Sequence, residues 1–299
     1  MATQSSDIES SLNKSSKLKD YLALVKFSLT TMVVFSAVAS YQLAPKIKAY
    51  DYKMLLLLFL GGFLVTGSAN AINQVVEKDT DAKMKRTAKR PIASGRMSEA
   101  EGWGFAIVTG LAGAFILYYW FNFLSAALAV FSLFLYAFIY TPLKKVNSIS
   151  VLVGAVPGAL PCLIGWAAGN DDVSAGGWAL FAMQFFWQFP HFWAIAWLAH
   201  KDYEGAGFKL LPSVDGPTKY SAIQSVIYSL LLIPVGLLPY FTGMSGMGAL
   251  IIILLANIFM VWQSVRLYRE MEAKAARRVM FSSYIYLPVV FWALLAFKN

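Results

Sequence analysis

Apolar stretches of about twenty residues recur along this chain, and no other feature limits its fold so tightly, because a helix of about 20 apolar residues spans the hydrocarbon core of a bilayer. Nine stretches approach or exceed that length: 20–43, 53–76, 103–122, 124–142, 150–169, 176–199, 219–241, 247–268 and 279–297. The third and fourth nearly touch at Phe121-Asn122-Phe123. Fused they would be about 40 residues, too long for one crossing, so they are read as two. The composition agrees: 58% of residues are hydrophobic and only 14% are charged, where soluble domains carry about 25%. A disordered chain and an ordinary soluble enzyme are excluded. A lone cysteine, Cys162, excludes a disulfide scaffold. The expected fold class is an all-α integral membrane protein with nine transmembrane helices.

The net charge is +9, which in a soluble chain would suggest nucleic acid. With the N-terminus in the cytoplasm, however, 21 of the 25 Lys and Arg fall on cytoplasmic segments; Lys46, Lys48, Lys53 and Lys298 are the exceptions. That is the positive-inside pattern. It places the C-terminus outside and makes a nucleic-acid partner unnecessary. The first 19 residues are polar and Ser-rich, with Asp7 and Glu9 but no Arg. They lack the apolar core of a signal peptide and the basic character of a transit peptide. They read as a disordered cytoplasmic tail (1–19) before a single transmembrane domain (20–299). Thirteen of the 16 acids also fall on the cytoplasmic side, which topology does not require.

Residues 66–96 read TGSANAINQVVEKDTDAKMKRTAKRPIASGR. Asn73, Glu77 and Asp81, spaced i, i+4, i+8, share one face of a helix leaving the membrane, with Asn70 a turn earlier. Two carboxylates and an amide oxygen suit Mg²⁺, which completes its shell with water and phosphate oxygens. Lys85, Arg86, Lys89 and Arg90 follow and suit an oxyanion. Together they describe a diphosphate site. Pro91 ends the basic run and Gly95 permits a tight turn. The competing reading is a solvated helix with i,i+4 ion pairs.

Two further patterns lie deeper. Gln184, Gln188 and His191 form one polar stripe in an apolar stretch, where an ionisable residue points to function. His191 could ligate a metal, donate a hydrogen bond, orient water, or simply pair with a neighbouring helix. Pro157 and Pro161, among Gly154, Gly158 and Gly165, describe either a bent helix shaping a cavity wall or close packing. Cys162 among them reads as a small buried hydrophobe.

The block from Asn73 to Gly95 resembles the first signature of the UbiA superfamily of intramembrane prenyltransferases: an Asn-x-x-x-Asp-x-x-x-Asp motif with a Lys/Arg-Arg-Thr-x-x-Arg-Pro tail. Here it reads NQVVEKDTD and then KRTAKRPIASG. YTPLKKVNSISVLVGAVPGALPCLIGWAAG at 140–169 and QFPHFWAIAWLAHKDYEGAGFKLLP at 188–212 are similar to the branch that farnesylates haem. The resemblance implies a UbiA-like ring of helices around a central cavity opening to the cytoplasmic side of a bacterial plasma (inner) membrane. It implies a polyprenyl transferase that moves the farnesyl group of farnesyl diphosphate to a vinyl group of haem b, with addition of water. Residue by residue, it assigns Mg²⁺ to Asn73, Glu77 and Asp81, with Asp202 and Glu204 as a second acidic pair and Asp202 among the catalytic groups. Diphosphate falls to Lys85, Arg86, Arg90, Tyr140, Lys144 and Lys201, and haem contact to Gln184, Gln188 and His191. Membrane lipid and a downstream haem A synthase or terminal oxidase assembly are the implied partners. Two departures stand out. Glu77 replaces the first acid of the motif, and HKDYEGAG replaces an Asp-rich second motif. A prenyltransferase acting on a quinone precursor such as 4-hydroxybenzoate is the neighbouring alternative. A secondary transporter is the alternative of another class, disfavoured because the acids cluster at one face rather than at mid-depth.

Overall fold

The computed structural model describes residues 17–213 and 215–299. Most of the expected tail therefore lies outside the described residues. Its last part, with Lys17 and Lys19, already belongs to a helix: α1 covers Lys17–Leu24. Helices α2 (Phe27–Leu43), α3 (Tyr52–Val76), α4 (Lys78–Asp81), α5 (Glu99–Trp120) and α6 (Phe123–Phe134) follow. A π-helical turn, Leu135–Tyr140, leads into α7 (Thr141–Leu143), α8 (Ser150–Asn170), α9 (Ala175–Leu198) and α10 (His200–Gly205). The chain ends with α11 (Lys219–Val235), α12 (Leu238–Phe241), α13 (Met247–Glu270) and α14 (Ala273–Ala296).

Among the described residues seven helical segments are long and apolar enough to cross a membrane, and the α1–α2 pair, bent by 45°, makes an eighth. The ninth expected crossing forms a 24-residue helix, α9, but does not meet that measure of apolarity. Gln184, Gln188, Pro190 and His191 dilute it. The count of nine therefore remains an expectation, and the polar stripe is the reason.

Local chemistry sets the helix ends. Asp51 caps α3 by accepting from the Met54 N–H at 3.1 Å. Ser98 does the same for α5 at Glu101, in a Ser-x-x-Glu arrangement. Asn122 accepts from the Ser125 N–H at 2.8 Å and starts α6, which explains why the long apolar run divides at Phe121-Asn122-Phe123. Leu111, Phe115, Ile251, Leu255 and Ile285 point outward and are exposed, as a lipid-facing surface requires.

The helices pack as a ring, with α14 meeting α2, α9 and α13. One apolar core lies among α2, α3, α5, α6 and α8, and a second among α2, α8, α9, α11, α13 and α14. Helix α8 joins them, and its glycines have separate uses. A Cβ at Gly165 would sit 1.8 Å from the Ala37 carbonyl oxygen, so this position allows α2 and α8 to touch backbone to backbone. At Gly158 the same atom would meet Gln188, and at Gly154 the Tyr140 ring. Close packing and cavity shaping thus both operate, at different turns of one helix.

Candidate active site

The site begins at the break between α1 and α2. Lys26 adopts a left-handed conformation, φ 51°, which costs a non-glycine residue about 1–3 kcal/mol. Helix α3 stabilises the break. Gln74 Nε2 donates to the carbonyls of Ala23 and Leu24, both at 2.9 Å. Thr30 Oγ1 donates to the Val25 carbonyl at 2.6 Å, and Asn70 Nδ2 donates to Thr30 Oγ1 at 3.0 Å. Asn70 therefore serves the break. The outcome is that Lys26 Nζ donates to Asn73 Oδ1 at 2.9 Å.

Asn73 Nδ2 in turn donates to Glu77 Oε2 at 2.8 Å and to Thr141 Oγ1 at 3.2 Å. Helix α3 stops at Val76, but the Asp81 N–H still bonds the Glu77 carbonyl at 2.7 Å, so the spacing survives the interruption. Asn73, Glu77 and Asp81 are only 2%, 3% and 1% exposed. Lys144 Nζ lies 2.5 Å from Glu77 Oε1. This contact pairs the charges without the direction of a hydrogen bond, and Oε1 has no other partner among the described residues. Arg90 Nη1 donates to both Asp81 oxygens, at 2.9 and 2.7 Å. Thr87 Oγ1 bonds the Asp81 carbonyl at 2.8 Å.

The basic tail is fixed as a whole. Gly95 takes φ 76° in the turn, and Arg96 donates to Asp20 Oδ1 at 2.8 and 3.0 Å and to the Lys89 carbonyl. Burial pushes the Asp81 carboxyl above the ordinary range, against the opposing pull of Arg90. Burial likewise draws Lys144 below its ordinary value, with Glu77 opposing. Both charges are short of solvation, so an ionic ligand has partners ready for it.

The loop after α9 closes the same mouth. Arg86 bonds the Tyr203 hydroxyl and lies 4.4 Å from the centre of its ring. Lys144 sits over the rings of Tyr140 and Phe208, at 5.0 and 5.1 Å. Asp202 is half-buried, while Glu204 is exposed and 3.7 Å from His200 Nε2. Glu204 and His200 line a second hollow of about 380 Å³. Among the described residues no hydrogen bond or ion pair joins Asp202 or Glu204 to the Asn73–Glu77–Asp81 cluster. Lys85 and Lys201 are exposed and make no ion pair among the described residues.

An apolar cavity of about 520 Å³ adjoins this mouth at Tyr140, over whose ring Lys144 sits, and Tyr136, Gln184, Gln188 and His191 are among its other walls. Tyr136 and Tyr140 belong to the π turn and lie side by side, ring centres 5.3 Å apart. Such turns often mark functional positions. The glutamines use their amides on α8: Gln184 Nε2 donates to the Gly158 carbonyl at 2.8 Å and Gln188 Nε2 to that of Ala155 at 3.0 Å. Leu29, Met32 and Phe35 of α2 and Tyr284 of α14 both line the cavity and are exposed outside, so it opens sideways between those helices. Sequence patterns alone do not single out Lys26, Tyr136, Thr141 and Tyr203. A lone lysine inside the apolar stretch 20–43 is the signal that could have found the first.

A helical membrane bundle with buried carboxylates and cations beside an apolar cavity is suited to a molecule with an anionic head and an apolar body. The chain belongs to the UbiA prenyltransferase family, whose profile matches residues 28–295. It is 44% identical over 279 residues to the protoheme IX farnesyltransferase of Cytophaga hutchinsonii, covering 92% of this chain and 96% of that one. It is 38% identical over 286 residues to the protein of that name from Solibacter usitatus, covering 93% and 98%. In fold it matches a structure described as digeranylgeranylglyceryl phosphate synthase, with a TM-score of 0.77 at 20% identity, over 94% of this chain and 98% of that one. It also matches a UbiA homologue from Archaeoglobus fulgidus bound to GPP and Mg²⁺, with a TM-score of 0.66 at 16% identity, over 92% and 99%.

Proposed function

We infer that the chain transfers a farnesyl group from farnesyl diphosphate to a vinyl group of haem b, with addition of water, giving haem O and diphosphate. The observation that carries this reading is the 44% identity, over nearly the whole chain, to a protoheme IX farnesyltransferase. The geometry accounts for the chemistry. The allylic C–O bond breaks and its electron pair leaves with the diphosphate. The vinyl π electrons then attack the allylic carbon, water adds to the resulting cation beside the macrocycle, and a proton is lost.

Each group has work in that sequence. Lys26, Lys144 and Arg90 bind the diphosphate and take up its growing charge, a preorganised electrostatic effect. Arg86, Lys85 and Lys201 attract it at the rim. The Asn73 amide oxygen with Glu77 and Asp81 fits Mg²⁺: all donors are oxygens, and two carboxylates leave room for phosphate oxygens and water. When bound, Mg²⁺ neutralises charge on the leaving group. Asp202 and Glu204 are candidates for a second, weaker metal position. Tyr136 and Tyr140 shield the allylic cation from water and offer it their ring faces. Gln184, Gln188 and His191 line the wall proposed to face the macrocycle.

The charged end faces the cytoplasm of a bacterial plasma membrane, with the C-terminus outside, a reading that the lysine and arginine distribution supports. The product passes to a haem A synthase or to terminal oxidase assembly. The test is to incubate the purified chain with haem b, farnesyl diphosphate and Mg²⁺ and to weigh the porphyrin product. A mass increase of one farnesyl group plus water is expected. Unchanged haem, with 4-hydroxybenzoate prenylated in a parallel reaction, would reassign the acceptor.

A further inference from the structure

His191 lines the cavity and is held by α14 in an unusually complete way. Ser283 Oγ lies 2.6 Å from the Met280 carbonyl oxygen and 2.7 Å from His191 Nδ1. A hydroxyl has one proton, and two oxygens approach to 2.6 Å only with a proton between them. Ser283 therefore donates to Met280 and accepts from His191. That assigns the proton of the neutral imidazole to Nδ1 and leaves Nε2 with a bare lone pair. Among the described residues Nε2 has no hydrogen-bond partner. The ring cannot readily turn: Trp187 stacks on it, centres 4.8 Å apart at 17°, while its own indole N–H donates to the Ser283 carbonyl at 3.0 Å. Tyr284 closes another side at 5.3 Å.

An imidazole with one nitrogen donating to a fixed acceptor and the other open is the arrangement of a metal-ligating histidine. The cavity it faces is of a size to take a large flat apolar molecule. We propose that His191 Nε2 ligates the iron of haem bound in this cavity, and that Ser283 is a positioning residue that holds the ligating tautomer. This rests on haem b being the acceptor.

The test uses the full chain in detergent, titrated with haem b without farnesyl diphosphate or Mg²⁺, and reads affinity and the visible absorption and electron paramagnetic resonance spectra. The parent is expected to give an imidazole-ligated spectrum. His191→Ala loses it, and free imidazole restores it. His191→Met, close in volume, shifts it to a thioether type if the alanine variant does not fold. Ser283→Ala weakens haem binding by about 10–100-fold, and Ser283→Thr restores it. A parent-like spectrum in the His191 variants overturns the ligation, and a parent-like Ser283→Ala overturns the positioning role. A parent that binds no haem overturns the proposal together with the acceptor assignment. A chain that binds haem through His191 but makes no farnesylated porphyrin overturns the proposed reaction alone.

Discussion

The two ends of the bundle use charge in different ways. At the end carrying Glu77, charged side chains pair with one another: Lys144 with Glu77, and Arg90 with Asp81. At the other end the lysines mostly bind backbone, and the Lys46–Asp171 pair there is exposed. Lys298 Nζ donates to the carbonyls of Gln42, Ala44 and Ile47, at 2.8, 3.1 and 2.6 Å. Lys46 Nζ donates to the Asn170 carbonyl at 2.7 Å, and Asp172 Oδ1 accepts from the Ser174 N–H at 3.0 Å. A backbone carbonyl at a helix end needs a donor in every state of the protein. A buried side-chain ion pair can instead exchange its partner for a charged ligand. Under the proposed function, the difference separates an end built to stay closed from an end whose pairs open to substrate.

Substitutions test that separation. Asp81→Ala should reduce product formation at least about a hundred-fold, the scale of losing a preorganised electrostatic group, while the chain still inserts; retained activity would remove Asp81 from the chemistry. Lys26→Met keeps the length of the side chain but not its charge. It should lower kcat/KM for farnesyl diphosphate about tenfold. Lys298→Ala should leave turnover unchanged but lower stability by about 1–3 kcal/mol through unsatisfied carbonyls, measured as a fall in Tm. Equal loss of turnover in this variant would erase the distinction between the ends. The smallest effect concerns Asp172, whose carboxyl is pushed down to about 2, chiefly by the Asn170 amide, with Ser174 and Trp166 adding. A depressed carboxyl contributes stability that is complete above the ordinary value near 4 and is lost as pH falls through about 2. Asp172→Asn should therefore lower Tm at neutral pH, and the gap should close as the medium is acidified towards pH 2.

Much of this was legible in the sequence because membrane helices must be long, apolar and internally bonded. Eight of the expected stretches lie on crossing-competent segments, and the doubtful pair, divided on length alone, does part where Asn122 caps α6. The family followed from the Asn73–Gly95 block. What escaped depended on departures from regular helix. Lys26 reads as one more topology-setting lysine until the left-handed break turns it towards Asn73. Tyr136 reads as packing until the π turn sets it beside Tyr140. Helix α1 reaches back to Lys17, within the stretch expected to be a tail, because Lys17 and Tyr21 find Glu101. The partner of His191 lies 92 residues away on α14, beyond the reach of any local pattern.

The stitch from Lys298 to the end of α2 spans 251 to 256 residues of chain. Proteins are synthesised from the N-terminus and their parts assemble in that order. Helix α2 is therefore made well before the segment that stitches it in place. The arrival of α14 then brings Ser283 to His191 and completes this wall of the cavity. Under the proposed function, the wall assigned to the acceptor is thus completed last, after the residues assigned to diphosphate have been made.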